Sequence, residues 1–226
     1  MRRFWELVLG WQAGETWPGH PELCSFEPAA GTSYVHLQRI DGPARIHLDV
    51  EAEQPDVMVS RAVDLGAVSV AEHDLWHTLR TPGGLPICVI GAGKAVPVEP
   101  ATWPDGHRSR MVQVCIDSPS QAHDREVAFW RYLLPGRWGA SDDHEFAGKL
   151  KPETRSPLQL LFQCLDEPEG PVRAHLDHGT DDLPLEVKRL LGLGATDVAP
   201  GRGWRVFRDP AGLLFCATAN PPDATR

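Results

Sequence analysis

The chain has 226 residues, 42% hydrophobic and 23% charged, and a formal net charge of −9. That length suits one large core or two small ones, and no run approaches the roughly 18 apolar residues of a membrane span. The acidic balance argues against nucleic acid as a partner, and without a spanning run no membrane partner is expected. Cysteines at 24, 88, 115, 164 and 216 are odd in number, far apart and free of any C-x-x-C pair, which points to reduced thiols rather than a disulfide framework or structural zinc. Arg2-Arg3 and Phe4-Trp5 near the start are followed by Glu6 and by no small-residue cleavage site, so the expected location is cytoplasmic.

In chain order, the first element is a short aromatic helix at Phe4-Trp5, followed by a strand over Ser33 to Ile40. Next comes an alternating strand in which Ile46, Leu48 and Val50 face one way and Arg45, His47 and Asp49 the other. The same words return later. A shift of 125 places Phe4-Trp5 on Phe129-Trp130, Gln38 on Gln163 and Asp41 on Asp166. A shift of 128 then places Arg45, His47 and Asp49 on Arg173, His175 and Asp177, and continues through Leu65-Gly66-Ala67, Trp76 and Cys88 to Leu193-Gly194-Ala195, Trp204 and Cys216. So many matches in register, Trp and Cys among them, mark an internal duplication.

The second copy opens with a strand over Met111 to Ile116. A helix over Phe129 to Leu134 follows, which Pro135-Gly136 is expected to end, with Gly136 at positive φ. Strands over Ser156 to Leu165 and Val172 to His178 come next, then a helix over Asp182 to Leu193 capped at Gly194. Trp204 to Phe207 and Leu213 to Thr218 flank a turn at Asp209-Pro210-Ala211-Gly212. Each copy therefore reads as two βαβββ-like modules, four in all. The first lacks its opening strand, so either the true start lies upstream or the first sheet is short of an edge. The expected domains are residues 1–95, a proline-rich linker at 96–108, and residues 109–226.

Ala128-Phe129-Trp130, Leu160-Leu161-Phe162-Gln163, His175-Leu176-Asp177, Leu193-Gly194-Ala195 and Arg208 to Cys216, in this order and spacing, resemble the vicinal oxygen chelate superfamily and its glyoxalase-like, bleomycin-resistance-like subgroup. The resemblance spans essentially the whole chain, twice. It implies an α+β fold of tandem glyoxalase-like domains, built from paired βαβββ modules, each a curved mixed sheet around a cleft with helices outside. Catalytic members place His, Glu, His and Glu around a metal. Carried onto this chain, those positions fall near Gln113, near Leu160, on His175 and on Cys216 in the second copy. In the first copy the opening position is absent, and the others fall near Val35, on His47 and on Cys88. One expected ligand type survives per copy, so no metal cofactor is expected. Were a metal bound, His175, Asp177 and Cys216 would hold it.

The R-x-H-x-D strand is the chief chemical candidate. Its three polar side chains share one face, roughly 7 Å between alternate residues. In the functional reading His175 and Asp177 form an acid/base pair in which Asp177 fixes the imidazole tautomer, and Arg173 holds an anionic group of a ligand. The structural reading is an Arg–Asp pair satisfying buried polar groups around a core histidine. Arg45, His47 and Asp49 repeat the arrangement. Gln113, Gln163, Trp204, Trp76 and Cys216 complete the expected ligand-binding set, the tryptophans either stacking on a planar ligand or lying in the core. Cys88 and Cys216 read as metal ligands or nucleophiles, or as small buried hydrophobes.

His73 and His77 have the spacing of a helical metal pair, but the repeat sets them beside Gly201 and Arg205 on a turn and strand. Asp142 to Glu145 reads as a solvated loop. Neither a Gly-rich phosphate loop nor G-x-S-x-G occurs. The leading function is small-molecule binding in a cleft by a monomer or homodimer. A lyase, isomerase or dioxygenase with a noncanonical site, or a noncatalytic interaction protein, are the alternatives.

Overall fold

The computed structural model describes residues 1–153 and 156–223. In chain order the elements are α1 (Arg2–Leu9), β1 (Gln12–Trp17), β2 (His20–Glu27), β3 (His36–Gln38), β4 (Leu48–Ala52), α2 (Pro55–Asp64), β5 (Val68–Glu72), β6 (Trp76–Arg80) and β7 (Pro86–Gly91). They continue with β8 (Ala101–Thr102), β9 (Arg108–Pro119), α3 (Ser120–Leu133), β10 (Gly136–Ala140), β11 (Phe146–Pro152), β12 (Gln159–Leu165), β13 (Arg173–Thr180), α4 (Leu183–Gly192), β14 (Thr196–Pro200), β15 (Trp204–Arg208) and β16 (Leu214–Thr218). This is the expected α+β architecture of repeated βαβββ modules.

Two compact units are each assembled from separate stretches of chain. Unit 1 takes Met1–Ala44, Ala95–Gln113 and Leu176–Arg226, and unit 2 takes Arg45–Lys94 and Val114–His175. Both β9 and β13 therefore pass from one unit into the other. Within unit 1, β1-β2-β3 form one sheet, β8 pairs with β9, and β13-β16-β15-β14 lie side by side. Within unit 2, β4-β7-β6-β5 form one sheet and β10-β11-β12-β9 lie side by side. The modules keep the repeat's register: β4 runs parallel to β7 with Asp49 opposite Cys88, and β13 runs parallel to β16 with Asp177 opposite Cys216.

In unit 1, the buried residues of α1 are Phe4, Trp5, Val8 and Leu9, an i, i+1, i+4, i+5 set that forms one apolar stripe. Gly10 ends the helix at φ 70, its N–H donating to the Glu6 carbonyl at 2.9 Å, a left-handed cap that favours glycine. Phe4 and Trp5 pack edge-on against Phe215 on β16, and the Trp5 Nε1–H donates to Asp209 Oδ2 at 3.0 Å. Asp209 also organises the expected turn, its Oδ1 accepting from the N–H groups of Ala211 and Leu213. At α4, Asp182 caps the first turn by accepting from the Leu185 N–H at 3.0 Å, and Gly194 follows at φ 97.

In unit 2 the core includes Leu79, Ile87, Val89, Ile116, Trp130 and Phe162. Helix α3 begins at Ser120, well before the expected Phe129, because the helical pattern runs back through Val127, Glu126 and His123, all buried. Gly136 also departs from expectation. It starts β10 rather than taking a positive φ, and a Cβ there would meet the Lys151 carbonyl oxygen at 2.5 Å. The glycine answers a close strand approach. Strand β3 is shorter than the span read from Ser33 to Ile40. His77 lies on β6, and His73 follows β5 and stacks on Trp76 with ring centroids 4.6 Å apart. No helix brings the two histidines together.

Candidate functional site

In unit 2, β9 and β13 supply three chemically distinct side chains. His175 Nδ1 lies 2.8 Å from Asp117 Oδ2. A carboxylate only accepts, so Nδ1 carries the proton and donates it. The two side chains retain 14% and 12% of their exposure. Cys115 precedes Asp117 by two residues, hence on the same face of β9, and is fully buried with its Sγ 3.9 Å from Gln163 Oε1. The ligating atoms of Cys115, Asp117 and His175 all lie within 4.8 Å of one another. Asp117 Oδ1 is buried with no hydrogen-bond partner, a costly state for a carboxylate oxygen.

The tautomer of His175 is thus set by Asp117, fifty-eight residues earlier, a residue absent from the sequence-derived set, as was Cys115. The signal for both is the alternation of Gln113, Cys115 and Asp117 against Val112, Val114 and Ile116, which sets Cys115 and Asp117 on the same face of β9 as Gln113. Arg173 is exposed and grips Glu167 with both guanidinium nitrogens at 3.0 and 3.1 Å. That pairing holds Glu167 below the usual carboxylate range. The Arg–Asp pair of the structural reading is an Arg–Glu pair instead.

The equivalent strand of the first copy is more open. Arg45, His47 and Asp49 are exposed and alternate with Ile46, Leu48 and Val50, which are half-buried or buried. His47 Nε2 lies 3.3 Å from Asp49 Oδ1, and His47, Asp49 and Cys88 present ligating atoms within 4.8 Å of one another. Burial pushes the Cys88 thiol pKa up, partly offset by a contact with Thr78 Oγ1 at 3.7 Å. A thiol so placed is a poor nucleophile at neutral pH.

In unit 1, Asp177 and Cys216 are buried opposite one another, and Gln113 donates its side-chain N–H to Asp177 Oδ2. Trp204 is half-buried on β15. In unit 2, Gln163 donates to Glu145 Oε1 at 2.5 Å, and Trp76 carries the stacked His73. A depression of about 240 Å³ lined by Arg137, Lys151, Pro152 and Glu153 contains none of these residues.

Sequence reading also missed a buried charged network in unit 1. Glu186, wholly inaccessible, accepts from His107 Nε2 at 2.7 Å and from Arg189 at 2.7 and 2.8 Å. Arg189 stacks 3.6 Å over the Trp103 ring and donates to the carbonyls of Leu7 and Val8. Burial opposes ionisation of Glu186, but the Arg189 hydrogen bonds and nearby positive charge prevail and hold it at about 2. Burial pushes His178 down to about 4 despite Glu186. It is therefore neutral at physiological pH, with Nε2 3.0 Å from Ser109 Oγ.

Leu160, Cys216, Val35 and Cys88, at or near positions where the resemblance would set metal ligands, are neither His nor Glu. The Cys/Asp/His groups of unit 2 are nonetheless a donor chemistry suited to a divalent ion softer than Mn(II).

A glyoxalase-like domain family model matches residues 1–90 and 113–218. The Mn(II)-bound glyoxalase from Novosphingobium aromaticivorans is similar over 98% of this chain and 77% of its own, at 16% identity and a TM-score of 0.67. BphC, a halotolerant catechol dioxygenase, is similar over 100% and 86%, at 11% identity and 0.60. A variant of homoprotocatechuate 2,3-dioxygenase from B. fuscum is similar over 97% and 67%, at 13% identity and 0.62. At such identities these likenesses speak for the fold. No curated protein matches the chain. With its family match covering both copies, the chain belongs to the glyoxalase-like domain family of the vicinal oxygen chelate superfamily.

Proposed function

We propose that this protein binds a small organic molecule through the polar faces of its R-x-H-x-D strands, without the His/Glu metal set usual in its family. The observation that carries this reading is the exposed row of Arg45, His47 and Asp49, whose apolar alternates turn inward. An Arg, an imidazole and a carboxylate at two-residue spacing offer an anion contact, a donor-acceptor pair and an acceptor to one ligand. His175 repeats the second role, whereas Arg173 is paired with Glu167. A thermal-shift panel of aromatic antibiotics and dicarbonyl adducts tests the reading. At least one compound is expected to raise the unfolding midpoint, and His47→Ala is expected to cancel that rise while leaving the unliganded midpoint unchanged. A panel that leaves the midpoint unmoved counts against it.

A second reading is a lyase, isomerase or dioxygenase with a noncanonical acid/base or metal site around His175, Asp177 and Cys216. The half-buried His175, its Nδ1–H held by Asp117, favours it. Such an arrangement leaves Nε2 with the lone pair a general base needs. Turnover of a dicarbonyl adduct or a catechol that His175→Gln abolishes, with the fold retained, would favour this reading over binding alone.

A further inference from the structure

We infer that Cys115, Asp117 and His175 form a binding site for a thiophilic divalent cation, Zn²⁺ or Co²⁺. The site shares His175 with the ligand-binding reading but does not rest on that reading. It uses two residues of β9 that hold none of the metal-ligand positions which the family resemblance assigns to this chain.

Three observations converge on it. The ligating atoms already lie within 4.8 Å of one another, whereas bonds of about 2.0 to 2.3 Å around a tetrahedral ion put ligands roughly 3.3 to 3.8 Å apart. A shift on the order of 1 Å completes the geometry. Asp117 Oδ2 and His175 Nδ1 are 2.8 Å apart, held by a proton that an ion can replace. Asp117 Oδ1 is buried and has no partner, so a cation there compensates an oxygen that the protein leaves unsatisfied. Arg173 does not supply that compensation by hydrogen bonding, because its guanidinium is committed to Glu167.

The donor set decides the kind of ion. A thiolate and an imidazole favour Zn²⁺ or Co²⁺ over Mg²⁺, Ca²⁺ or Mn²⁺, and one carboxylate is compatible with either class. Three protein ligands leave a fourth, open position. On binding, the Cys115 S–H bond breaks and the sulfur lone pair bonds the ion, its proton passing to buffer. His175 gives up Nδ1–H and gains Nε2–H through solvent, with no change in charge. The balance is one proton released per ion bound and no change in oxidation state.

The test is a Co²⁺ titration of the full chain, reduced and stripped of metal with a chelator, read by the thiolate-to-cobalt charge-transfer band. One saturating equivalent is expected, displaced by Zn²⁺. Cys115→Ser should abolish the band. Asp117→Asn should weaken cobalt binding by about ten-fold or more. Cys88→Ser and Cys216→Ser should leave the band in place. No band in excess Co²⁺, or a band that survives Cys115→Ser and disappears in Cys88→Ser or Cys216→Ser, overturns the assignment. Should Cys115→Ser fail to fold, X-ray absorption of the Zn²⁺-loaded wild-type chain decides: one sulfur among the nearest scatterers together with loss of zinc in His175→Gln supports the site, and nitrogen and oxygen alone overturn it.

Discussion

His175 donates its Nδ1 proton to Asp117 across 2.8 Å, although the two residues are separated by fifty-eight positions in the chain. Histidine in water favours the proton on Nε2, so the carboxylate selects the less common tautomer. Long-range proton–nitrogen NMR should find the Nδ1–H form in the wild-type protein and a shift toward Nε2–H in Asp117→Ala. Stability should change little, within about 1 kcal/mol, because the lost hydrogen bond is offset by removal of the unsatisfied Oδ1. A wild-type His175 already protonated at Nε2 would refute the assignment.

The network around Glu186 predicts a stability loss that begins at mildly acidic pH. The ordinary histidine value of 6.5 is lowered to about 4 for His178. Below about pH 6.5 the unfolded imidazole takes up a proton that the folded one refuses until about pH 4. Stability therefore falls as pH drops through that window, by about 3 kcal/mol in all. Glu186, lowered from 4.5 to about 2, adds a further loss as pH falls below 4.5. Urea melts between about pH 7 and pH 4 should show the denaturation midpoint declining, and His178→Gln should flatten the upper part of that decline. A midpoint independent of pH across the window would show that His178 protonates as readily folded as unfolded.

Gly83 is predicted to be sterically essential. A Cβ there would meet Val172 Cγ2 at 2.2 Å and Glu126 Oε2 at 2.8 Å, while the Gly83 N–H donates to Glu126 and its carbonyl accepts from the Val172 N–H. Gly83→Ala should cost about 1 to 3 kcal/mol through displacement of these neighbours. Calorimetry that gives a midpoint equal to wild type would show that the two segments separate without penalty.

Much of the fold was legible because its signals are local. Alternation marked β4 and β13, Gly194 marked the end of α4, and Asp209 to Gly212 marked the turn before β16. Helix α3 was cut short in the sequence reading because its first turns bury His123 and Glu126, polar residues that a hydrophobic pattern passes over. Glu126 is buried with partners, accepting from the Gly83 N–H and from Trp130 of its own helix while burial pushes its pKa up, whereas His123 Nδ1 is buried with no hydrogen-bond partner among the described residues.

By itself the sequence determined the duplication, the module order and the alignment of Asp49 with Asp177 and Cys88 with Cys216, because a repeat and a strand period are properties of neighbours along the chain. Tertiary structure alone decided that Asp117 orients His175, that Cys115 joins them, that Arg173 turns to Glu167, and that the compact units are stitched from distant segments. Hydrogen-bond partners and burial depend on which strands lie side by side. Pairing energies between remote segments set that arrangement, and they leave no periodicity to read.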